Sequence, residues 1–469
     1  MSELYDFLKN LEDNSIEYVS WKNNHELGDA LDGKKDLDIF VPYKYKNRFY
    51  KCASKSFWIK LRNHVADFPD VSHFYKFTSE NKTFHIHVYF KLITGESWIK
   101  EFDLPLEDFF LMNMERCKTY KIWKLNNDAQ SYIFFIRHFL KNGSFFSRTL
   151  YKNEILSYKD EWDFCNLSLD KIKDLGPYEL SNFISKSGLN DRFKRPSFFA
   201  SSAFRKIFYK YLRIQKRYLL PHRIISFYKR LVNKIIFKKK KYISNNGLVI
   251  AIAGSDGSGK SSIIENLEKD FASFLNCKKY SIGKPQGALL EKLRLLFNSN
   301  NKDKTRKINS NTSLKKALLS LILAFMRLSL SKKANYYARN GYLIIADRWP
   351  TNEFGKMDSA KIIANSNANP LIKFISNMEK RIYKKMPTAD LCIFLNVKSE
   401  TVVIRNDSRV KEGKETRDEI LDRYYENKDV RPIANKIIEF DNNTDLDNAI
   451  YKLKNIISAE IVNNQAYEK

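Results

Sequence analysis

The segment from Gly247 to Phe271 constrains the fold of this 469-residue chain more than any other. It begins with the apolar run GLVIAIAG, continues directly into GSDGSGKSS, and then places Ile263, Ile264, Leu267 and Phe271 at helical spacing. A strand that is apolar along its whole length is buried on both faces, which is typical of parallel sheets covered by helices. The segment therefore predicts an α/β domain in which a buried strand, a glycine-rich loop and a helix follow one another.

The glycine-rich loop carries a pattern with a chemical meaning. Residues 254–261 read GxxxxGK[ST] in the strand, loop and helix order that this pattern requires. The glycines let backbone N–H groups turn toward a phosphate chain, the lysine reaches the terminal phosphates, and the serine offers its hydroxyl to Mg²⁺. The helix N-terminus also attracts anions. We therefore expect ATP and Mg²⁺ to bind through Gly254, Ser255, Asp256, Gly257, Ser258, Gly259, Lys260, Ser261 and Ser262. The alternative is a glycine-rich turn that binds no ligand.

A second apolar strand, 342–346, ends in Asp347, Arg348 and Trp349. An acid at the carboxyl end of a buried strand is a suitable second protein partner for Mg²⁺, directly or through water. The planar guanidinium of Arg348 can bridge donor and acceptor phosphates. The alternative is that Asp347 only caps the following turn.

A third apolar strand, 391–397, precedes a helix-like segment and the charged stretch 405–417. In a phosphoryl-transfer enzyme, such a stretch can close over the nucleotide and present an arginine to the transferred group. The alternative is a solvated charged helix. The basic residues of the stretch are Arg405, Arg409, Lys411, Lys414 and Arg417.

The order of these parts resembles the thymidylate kinase family of nucleoside monophosphate kinases over residues 247–460. The resemblance rests on GSDGSGKSS, on ARNGYLIIADRW, on PTADLCIFLNVKSETVVIR, and on the closing IIEFDNNTDLDNAIYKLKNII. It implies a five-stranded parallel sheet wrapped by helices, ATP and Mg²⁺ as cofactors, and a homodimer. Asp256 would face the sugar hydroxyl of the acceptor. Because Ser258 stands in the loop where an arginine can stand in the family, the catalytic arginine would be Arg405 or Arg409.

The chain also departs from that family at its acceptor side. Gly283, Lys284 and Pro285 stand where the family has Arg-Glu-Pro, although Arg294 can keep one acceptor contact. After Trp349, residues 350–355 read PTNEFG in place of the residues that help to bind thymine. The resemblance therefore supports the donor chemistry better than the acceptor, and dTMP is the default acceptor.

The first half carries paired acids, Asp36 and Asp38, in the strand-like run DLDIFV. Two acids separated by one residue on a strand share a face and can hold a Mg²⁺-nucleotide. With YVSWKNN before the run and FHIHVYF after it, residues 15–110 resemble the nucleotidyltransferase superfamily, which implies an α+β domain. His85 and His87 stand where a third carboxylate is expected, so Asp36, Asp38 and His87 form a candidate second site. The alternative is a catalytically silent fold used for binding.

The net charge of +28 is concentrated in one stretch, since residues 192–255 contain 17 Lys and Arg and no Asp or Glu. We expect domains at 1–190 and 246–469, joined by a basic amphipathic helical linker at 191–245. Residues 204–241 fit an anionic membrane surface, and the alternative is a linker whose apolar stripes pack on the domains. No groove-reading motif indicates a nucleic-acid partner.

Five cysteines without a CxxC pair and an N-terminus without an apolar signal segment predict a cytoplasmic protein. The basic stretch adds the alternative of a location peripheral to the inner face of the membrane. The sequence as a whole predicts three functions. The first is an ATP-dependent kinase acting on a nucleoside monophosphate or on a related phosphate or sugar acceptor. The second is a nucleotide-gated binding protein. The third is a bifunctional enzyme that activates sugar-phosphate precursors for sugar or surface-glycan synthesis.

Overall fold

The computed structural model describes residues 3–78, 82–144, 147–148, 160–161, 183, 196–283, 285, 312–407 and 416–465. The chain divides into two compact units, one that extends to Lys241 and one that comprises Tyr242–Gln465. Residues from Pro196 to Lys241 belong to the first unit. The predicted domain limits at 190 and 245 stay predictions.

The N-terminal unit contains nine described strands: β1 (Val19–Ser20), β2 (Leu37–Phe40), β3 (Ile59–Arg62), β4 (Val71–Phe77), β5 (Thr83–Tyr89), β6 (Ile93–Thr94), β7 (Phe102–Asp103), β8 (Met114–Arg116) and β9 (Trp123–Leu125). Seven of them follow one another in a sheet in the order β3-β4-β5-β2-β1-β9-β8. β2 runs parallel to β5, and this register places Asp38 opposite His87. β4 runs antiparallel to β5, with His73 opposite His87.

The helices of this unit are α1 (Glu3–Asp13), α2 (Leu27–Leu31), α3 (Lys46–Lys55), α4 (Glu107–Met112), α5 (Asn127–Lys141), α6 (Phe198–Ile207) and α7 (Leu219–Val232). Alternation along β2 divides its side chains between two apolar clusters, because Leu37 and Ile39 join one and Phe40 joins the other. Asp38 therefore lies on the Phe40 side of the sheet. Within the predicted basic helical linker, the structure places α6 and α7.

The C-terminal unit is built on five parallel strands. After the short strand β10 (Tyr242–Ile243) come β11 (Leu248–Gly254), β12 (Cys277–Ser281), β13 (Leu343–Asp347), β14 (Ala389–Asn396) and β15 (Ala434–Asp441). The sheet order is β12-β13-β11-β14-β15, and every neighbouring pair is parallel. β11 lies at the centre with Leu248–Ala253 buried, as its continuous apolar sequence predicts.

The helices of the C-terminal unit are α8 (Lys260–Phe271), α9 (Leu314–Arg339), α10 (Pro370–Lys384), α11 (Ser399–Asp407), α12 (Arg417–Asn427) and α13 (Leu446–Asn464). Sequence signals fix several of their starts. Thr416 and Glu419 form a capping box at α12, and Asp445 accepts from the backbone N–H of Asn448 at α13. The expected mixed α/β fold with a five-stranded parallel sheet and helices is thereby confirmed for this unit, and it is compatible with a P-loop kinase fold. Among the described helices, none is long and apolar enough to span a bilayer.

Candidate functional site

The glycine-rich loop leaves the carboxyl end of β11 and leads into α8. Gly254, Gly257 and Gly259 all have positive φ, of 143°, 87° and 88°. A Cβ atom at Gly257 would lie 2.9 Å from Val402 Cγ1, and one at Gly259 would lie 2.9 Å from Asn442 Nδ2. Only glycine tolerates both the backbone conformation and the close neighbours, which gives the pattern read from the sequence a physical basis.

Lys260 turns its ammonium group back into this loop. Its Nζ lies 2.6 Å from the carbonyl oxygen of Ser255 and 3.0 Å from that of Gly254, and the residue is buried. Backbone carbonyls are neutral partners, whereas phosphate oxygens carry the charge that an ammonium group binds most strongly. The lysine is therefore held at the place where a phosphate chain would enter the loop.

Asp347 is the last residue of β13 and lies, like the glycine-rich loop, at the carboxyl end of the parallel sheet. β13 is the parallel neighbour of β11, and the register places Asp347 opposite Ile252, two residues before Gly254. Ser261 is the second residue of α8 and is exposed. In the described part of the chain, no group of three or more His, Cys, Asp or Glu side chains is arranged to hold a metal ion. One carboxylate, one hydroxyl and substrate phosphates are nevertheless a donor set that Mg²⁺ accepts, so Ser261 and Asp347 fit this ion.

Asp256 of the loop is bound by two arginines. Arg348 donates to Oδ1 of Asp256, and Arg423 of α12 donates to Oδ2 from 3.1 Å. Arg348 has a left-handed backbone with φ of 65°, and its N–H donates to the carbonyl oxygen of Ile252. Gly283 lies against it, since a Cβ there would approach Arg348 Cδ to 2.6 Å. The predicted phosphate-bridging arginine thus points at the acid of the loop.

A buried ion network continues from Arg348. Asp358 lies 3.9 Å from Arg348 Nη1 and 2.8 Å from Arg327 Nη2 on α9. Arg327 also donates to the Tyr383 hydroxyl and to the backbone carbonyls of Ile282 and Gly283. Burial raises the pKa of the Asp358 carboxyl, although both arginines act in the opposite direction. The network fixes the segment after β12 beside the loop.

Two side chains hold the other side of the loop. Asn442, directly after β15, donates from Nδ2 to the carbonyl oxygen of Ser258 across 2.7 Å. Arg405 of α11 donates to the carbonyl oxygen of Asn442 across 3.0 Å, and its Nη1 lies 3.4 Å from the position of a Cβ at Gly259. The structure therefore brings Arg405 to the loop. Arg409 lies outside the described residues, as do Lys284, Arg294, Lys411 and Lys414.

The paired acids of the N-terminal unit form a second cluster. Oδ1 of Asp38 accepts from Lys22 at 3.3 Å and lies 3.1 Å from His87 Nδ1. Oδ1 of Asp36 lies 2.6 Å from His85 Nδ1. Burial alone would raise the pKa of Asp38, but Lys22 and then His87 outweigh it, so this pKa lies far below its usual range. The structure therefore pairs Asp38 with His87, as predicted for the second site, and pairs Asp36 with His85 instead.

Titratable groups around this cluster are perturbed by burial. Burial lowers the pKa of Lys22 well below its usual value, although Asp38 acts in the opposite direction. Burial lowers the pKa of Lys100 to about 7. Burial and then the charge of Lys100 lower the pKa of His87 to about 3. Such shifts are common at functional sites, although structural ion pairs also produce them.

Sequence reasoning missed several of these residues: Arg327, Asp358, Arg423 and Asn442 in the C-terminal unit, and His73 and Lys100 in the N-terminal unit. The sequence could have indicated Asn442 as a site residue, because it directly follows a strand at the carboxyl end of a parallel sheet, where ligands bind. Nothing in the sequence could have indicated Arg423, since it lies in a helix with many other charged residues. His73 required the antiparallel register of β4 and β5.

No sequence model of a protein family matches the chain. The chain is 24% identical over 189 residues to the "uncharacterized ATP-binding protein YghR" of Escherichia coli K12, which covers 37% of this chain and 73% of YghR. It is 26% identical over 171 residues to the "uncharacterized ATP-binding protein YghS" of the same organism, which covers 34% of this chain and 72% of YghS.

Two solved structures are also similar. Thymidylate kinase from Candida albicans has 19% identity and a TM-score of 0.26, and covers 45% of this chain and 91% of its own. APE1195 has 16% identity and a TM-score of 0.25, and covers 46% of this chain and 98% of its own. These TM-scores are too low to support an inference about function.

Proposed function

We propose that the C-terminal unit is an ATP- and Mg²⁺-dependent phosphotransferase. Its acceptor is a nucleoside monophosphate, with dTMP as the first to test, or a related phosphate or sugar hydroxyl. The observation that carries the proposal is the position of Lys260 inside a positive-φ glycine loop that follows β11, with Asp347 at the end of the adjacent parallel strand. The names of YghR and YghS, which describe ATP-binding proteins, support the donor.

The chain's own residues would act by positioning and by charge. Lys260 would bind the terminal phosphates of the donor, and Ser261 and Asp347 would hold Mg²⁺, which supplies further positive charge at those phosphates. Arg405 and Arg348 lie on two sides of the loop and would stabilise charge on the transferred group. Arg409, the other arginine predicted for this role in the charged stretch 405–417, stays a candidate.

The acceptor side of the proposal rests on Asp256. Its carboxylate is the group that would accept a hydrogen bond from an acceptor hydroxyl, and Arg348 and Arg423 hold it in place. The homodimer and a cytoplasmic location belong to the proposal as well. Cys52, Cys117, Cys277 and Cys392 are free thiols, which fits a reducing compartment.

The test is a screen of acceptors with radiolabelled ATP, beginning with dTMP and continuing through other nucleoside monophosphates and sugar phosphates. Lys260→Ala should abolish transfer to any acceptor found, whereas Lys269→Ala, an exposed position on the same helix, should leave transfer unchanged. Full activity of Lys260→Ala would contradict the proposal. ATP binding without transfer to any acceptor would favour the nucleotide-gated binding protein instead.

A further inference from the structure

One face of the N-terminal sheet is lined by polar and aromatic side chains. Strand alternation places Asp38 of β2, His73 and Tyr75 of β4, and His85, His87 and Tyr89 of β5 toward this face, opposite the apolar cluster that holds Ile39, Phe74 and Ile86. The rings form a continuous stack, in which His73 lies 4.3 Å from His87 and Tyr75 lies 4.2 Å from His85. A sheet face that only packs into a core needs apolar side chains, whereas this face carries imidazoles, phenols and a carboxylate.

The two acids on this side are already engaged by groups of the chain itself. Asp38 accepts from Lys22 and His87, and Asp36 pairs with His85. Their carboxylates serve as internal partners of cations and imidazoles, which differs from the open carboxylate pair that a metal-bound nucleotide requires. The candidate Mg²⁺ site at Asp36, Asp38 and His87 stays a prediction, and the lysines of the cluster offer a site that needs no metal ion.

Cations exceed acids at the centre of the cluster. Lys22 Nζ lies 3.8 Å from the centroid of the Tyr89 ring, and Lys100 Nζ lies 4.4 Å from the same centroid. Asp38 pairs with Lys22, whereas Lys100 donates to the Tyr89 hydroxyl at 2.9 Å, which is a neutral partner. Tyr89 is buried, and Lys22 and Lys100 are partly buried. Burial disfavours the charged form of a lysine that lacks a matching anion and lowers the pKa of Lys100 to about 7, so an anionic ligand would stabilise the charged form.

We infer that Lys22 and Lys100 bind the phosphate group of a second small molecule in the N-terminal unit, without a metal ion. Ammonium groups are compact donors that bind phosphate oxygens through charge-assisted hydrogen bonds. His87 adds an acceptor: because its Nδ1 faces the Asp38 carboxylate, Nε2 carries the lone pair, and Nε2 is buried without a partner among the described residues. A hydroxyl of the ligand can donate to that nitrogen. This site is independent of the proposed phosphotransfer.

Calorimetric titration of pyrophosphate into the full-length Lys260→Ala chain, in the presence of EDTA, tests the inference because the glycine-rich loop is then disabled. We expect one site per chain, with affinity reduced by about tenfold or more in Lys22→Met and Lys100→Met, the size of a lost charged hydrogen bond. Lys51→Met, on the exposed side of α3, is the matched control. Asp38→Asn should keep or strengthen binding, because it removes negative charge beside the ligand.

A second readout uses the unsubstituted chain. Pyrophosphate should slow acetylation of Lys22 and Lys100 by acetic anhydride and leave Lys51 unchanged, as measured by mass spectrometry. The inference is overturned if Lys260→Ala binds no pyrophosphate, if binding requires Mg²⁺, if Asp38→Asn abolishes it, or if acetate binds as well as pyrophosphate.

A separate observation concerns α7, whose arginines point inward. Arg223 lies 3.0 Å from Glu96 and 3.3 Å from Glu101, two fully buried carboxylates, and Arg230 lies 4.9 Å from the Trp98 ring centroid. Positions 223 and 230 are two helical turns apart, so they share one face. The helix is therefore anchored through charge rather than through its apolar stripe.

The apolar stripe of this helix faces outward. Seven large apolar side chains of the helix and the turn after it are at least half exposed: Leu220, Ile224, Ile225, Tyr228, Ile235, Ile236 and Phe237. An exposed apolar patch of this kind marks an interaction surface. The alternative, in which the apolar stripes pack on the domains, fits Phe204 and Phe208, which are buried, but not these seven exposed residues.

The geometry points to an anionic lipid surface as the occupant of this stripe. Residues 216–241 contain ten Lys and Arg and no acid, so the apolar side chains are surrounded by positive charge. Apolar side chains that enter the acyl boundary, with cations at the headgroup level, are the binding mode of interfacial amphipathic helices.

Sedimentation of the full chain with phosphatidylcholine vesicles, with and without about one third phosphatidylserine, tests this second inference. We expect binding to the anionic vesicles alone, and a loss of about tenfold or more in Ile224→Ser/Tyr228→Ser, from the lost apolar burial. Phe199→Ser, an exposed aromatic position on α6, is the matched control. Equal binding to neutral vesicles, unchanged binding by the double variant, or a solution dimer that the double variant dissociates would overturn the inference.

Discussion

Arg423 Nη1 lies 3.1 Å from Oδ2 of Asp256, so α12 is joined by an ion pair to the glycine-rich loop. Arg348 binds the other oxygen of the same carboxylate. The acid of the loop is thus held from two directions, by the end of β13 and by α12. This relationship gives the first prediction.

Arg423→Ala should lower kcat/KM for the acceptor by about 10- to 100-fold, the size of one charge-assisted hydrogen bond, because Asp256 loses one of its two anchors. ATP affinity should change much less, since Arg423 binds Asp256, the residue proposed to face the acceptor. Steady-state kinetics with nucleotide titrations measure both effects. Arg381→Ala, an exposed arginine of α10, should behave as the wild type. A matching loss of ATP affinity in Arg423→Ala would contradict a positioning role.

Asp347→Asn should raise the Mg²⁺ concentration required for half-maximal activity by about tenfold or more, because the ion loses a carboxylate partner. Activity measured over a series of Mg²⁺ concentrations checks this. Asp441→Asn, at the corresponding end of β15, provides the control. An unchanged Mg²⁺ requirement in Asp347→Asn would show that the residue only ends its strand.

Asn442→Ala should destabilise the C-terminal unit by about 1–3 kcal/mol, because the buried carbonyl oxygen of Ser258 loses a donor at 2.7 Å. It should also weaken ATP binding, since the loop loses a restraint on its conformation. Denaturant unfolding and nucleotide titration measure the two effects. Asn448→Ala, at an exposed position of α13, should change neither. An unaltered denaturant midpoint of unfolding for Asn442→Ala would refute the proposed restraint.

The lowered pKa of Lys100 makes stability depend on pH in a defined direction. Between pH of about 7 and the ordinary lysine value of about 10.4, the unfolded chain holds a proton on Lys100 that the folded chain releases. The contribution of this group to stability therefore rises with pH through that window.

Urea unfolding in phosphate-free buffer at several pH values checks this expectation. The free energy of unfolding of the wild type should rise more steeply with pH than that of Lys100→Met, while Lys51→Met should follow the wild type. Parallel curves for the wild type and Lys100→Met would exclude the shift.

The parts of the fold that the sequence predicts are those encoded locally. The apolar run of β11, the glycines of the loop and the acid at the end of β13 have conformations that follow from their own local sequence. The five-stranded parallel sheet was expected from the resemblance and is confirmed. The roles assigned to Gly254–Ser262, Asp347, Arg348 and Arg405 stay predictions, although the structure collects them at one edge of the sheet.

The remaining part depends on tertiary packing. Arg327 lies within the long helix α9, and nothing in its neighbouring residues indicates that it contacts Asp358, because the partner is 31 positions away in sequence. Lys100 reaches Tyr89 through a short irregular segment in which it has φ of 45°. Such contacts form when distant elements meet, and the periodicity of one element does not encode them.

The contacts of Arg327 with backbone carbonyls have a consequence for mutational tolerance. Because it binds the carbonyl oxygens of Ile282 and Gly283, it holds this segment through atoms that every residue possesses. A saturation library of the segment should therefore show two different kinds of constraint. Position 283 should accept glycine alone, since Arg348 occupies the space of a side chain. Position 282 should accept other apolar residues of similar volume, so the two neighbours would diverge at unequal rates among descendants of this chain.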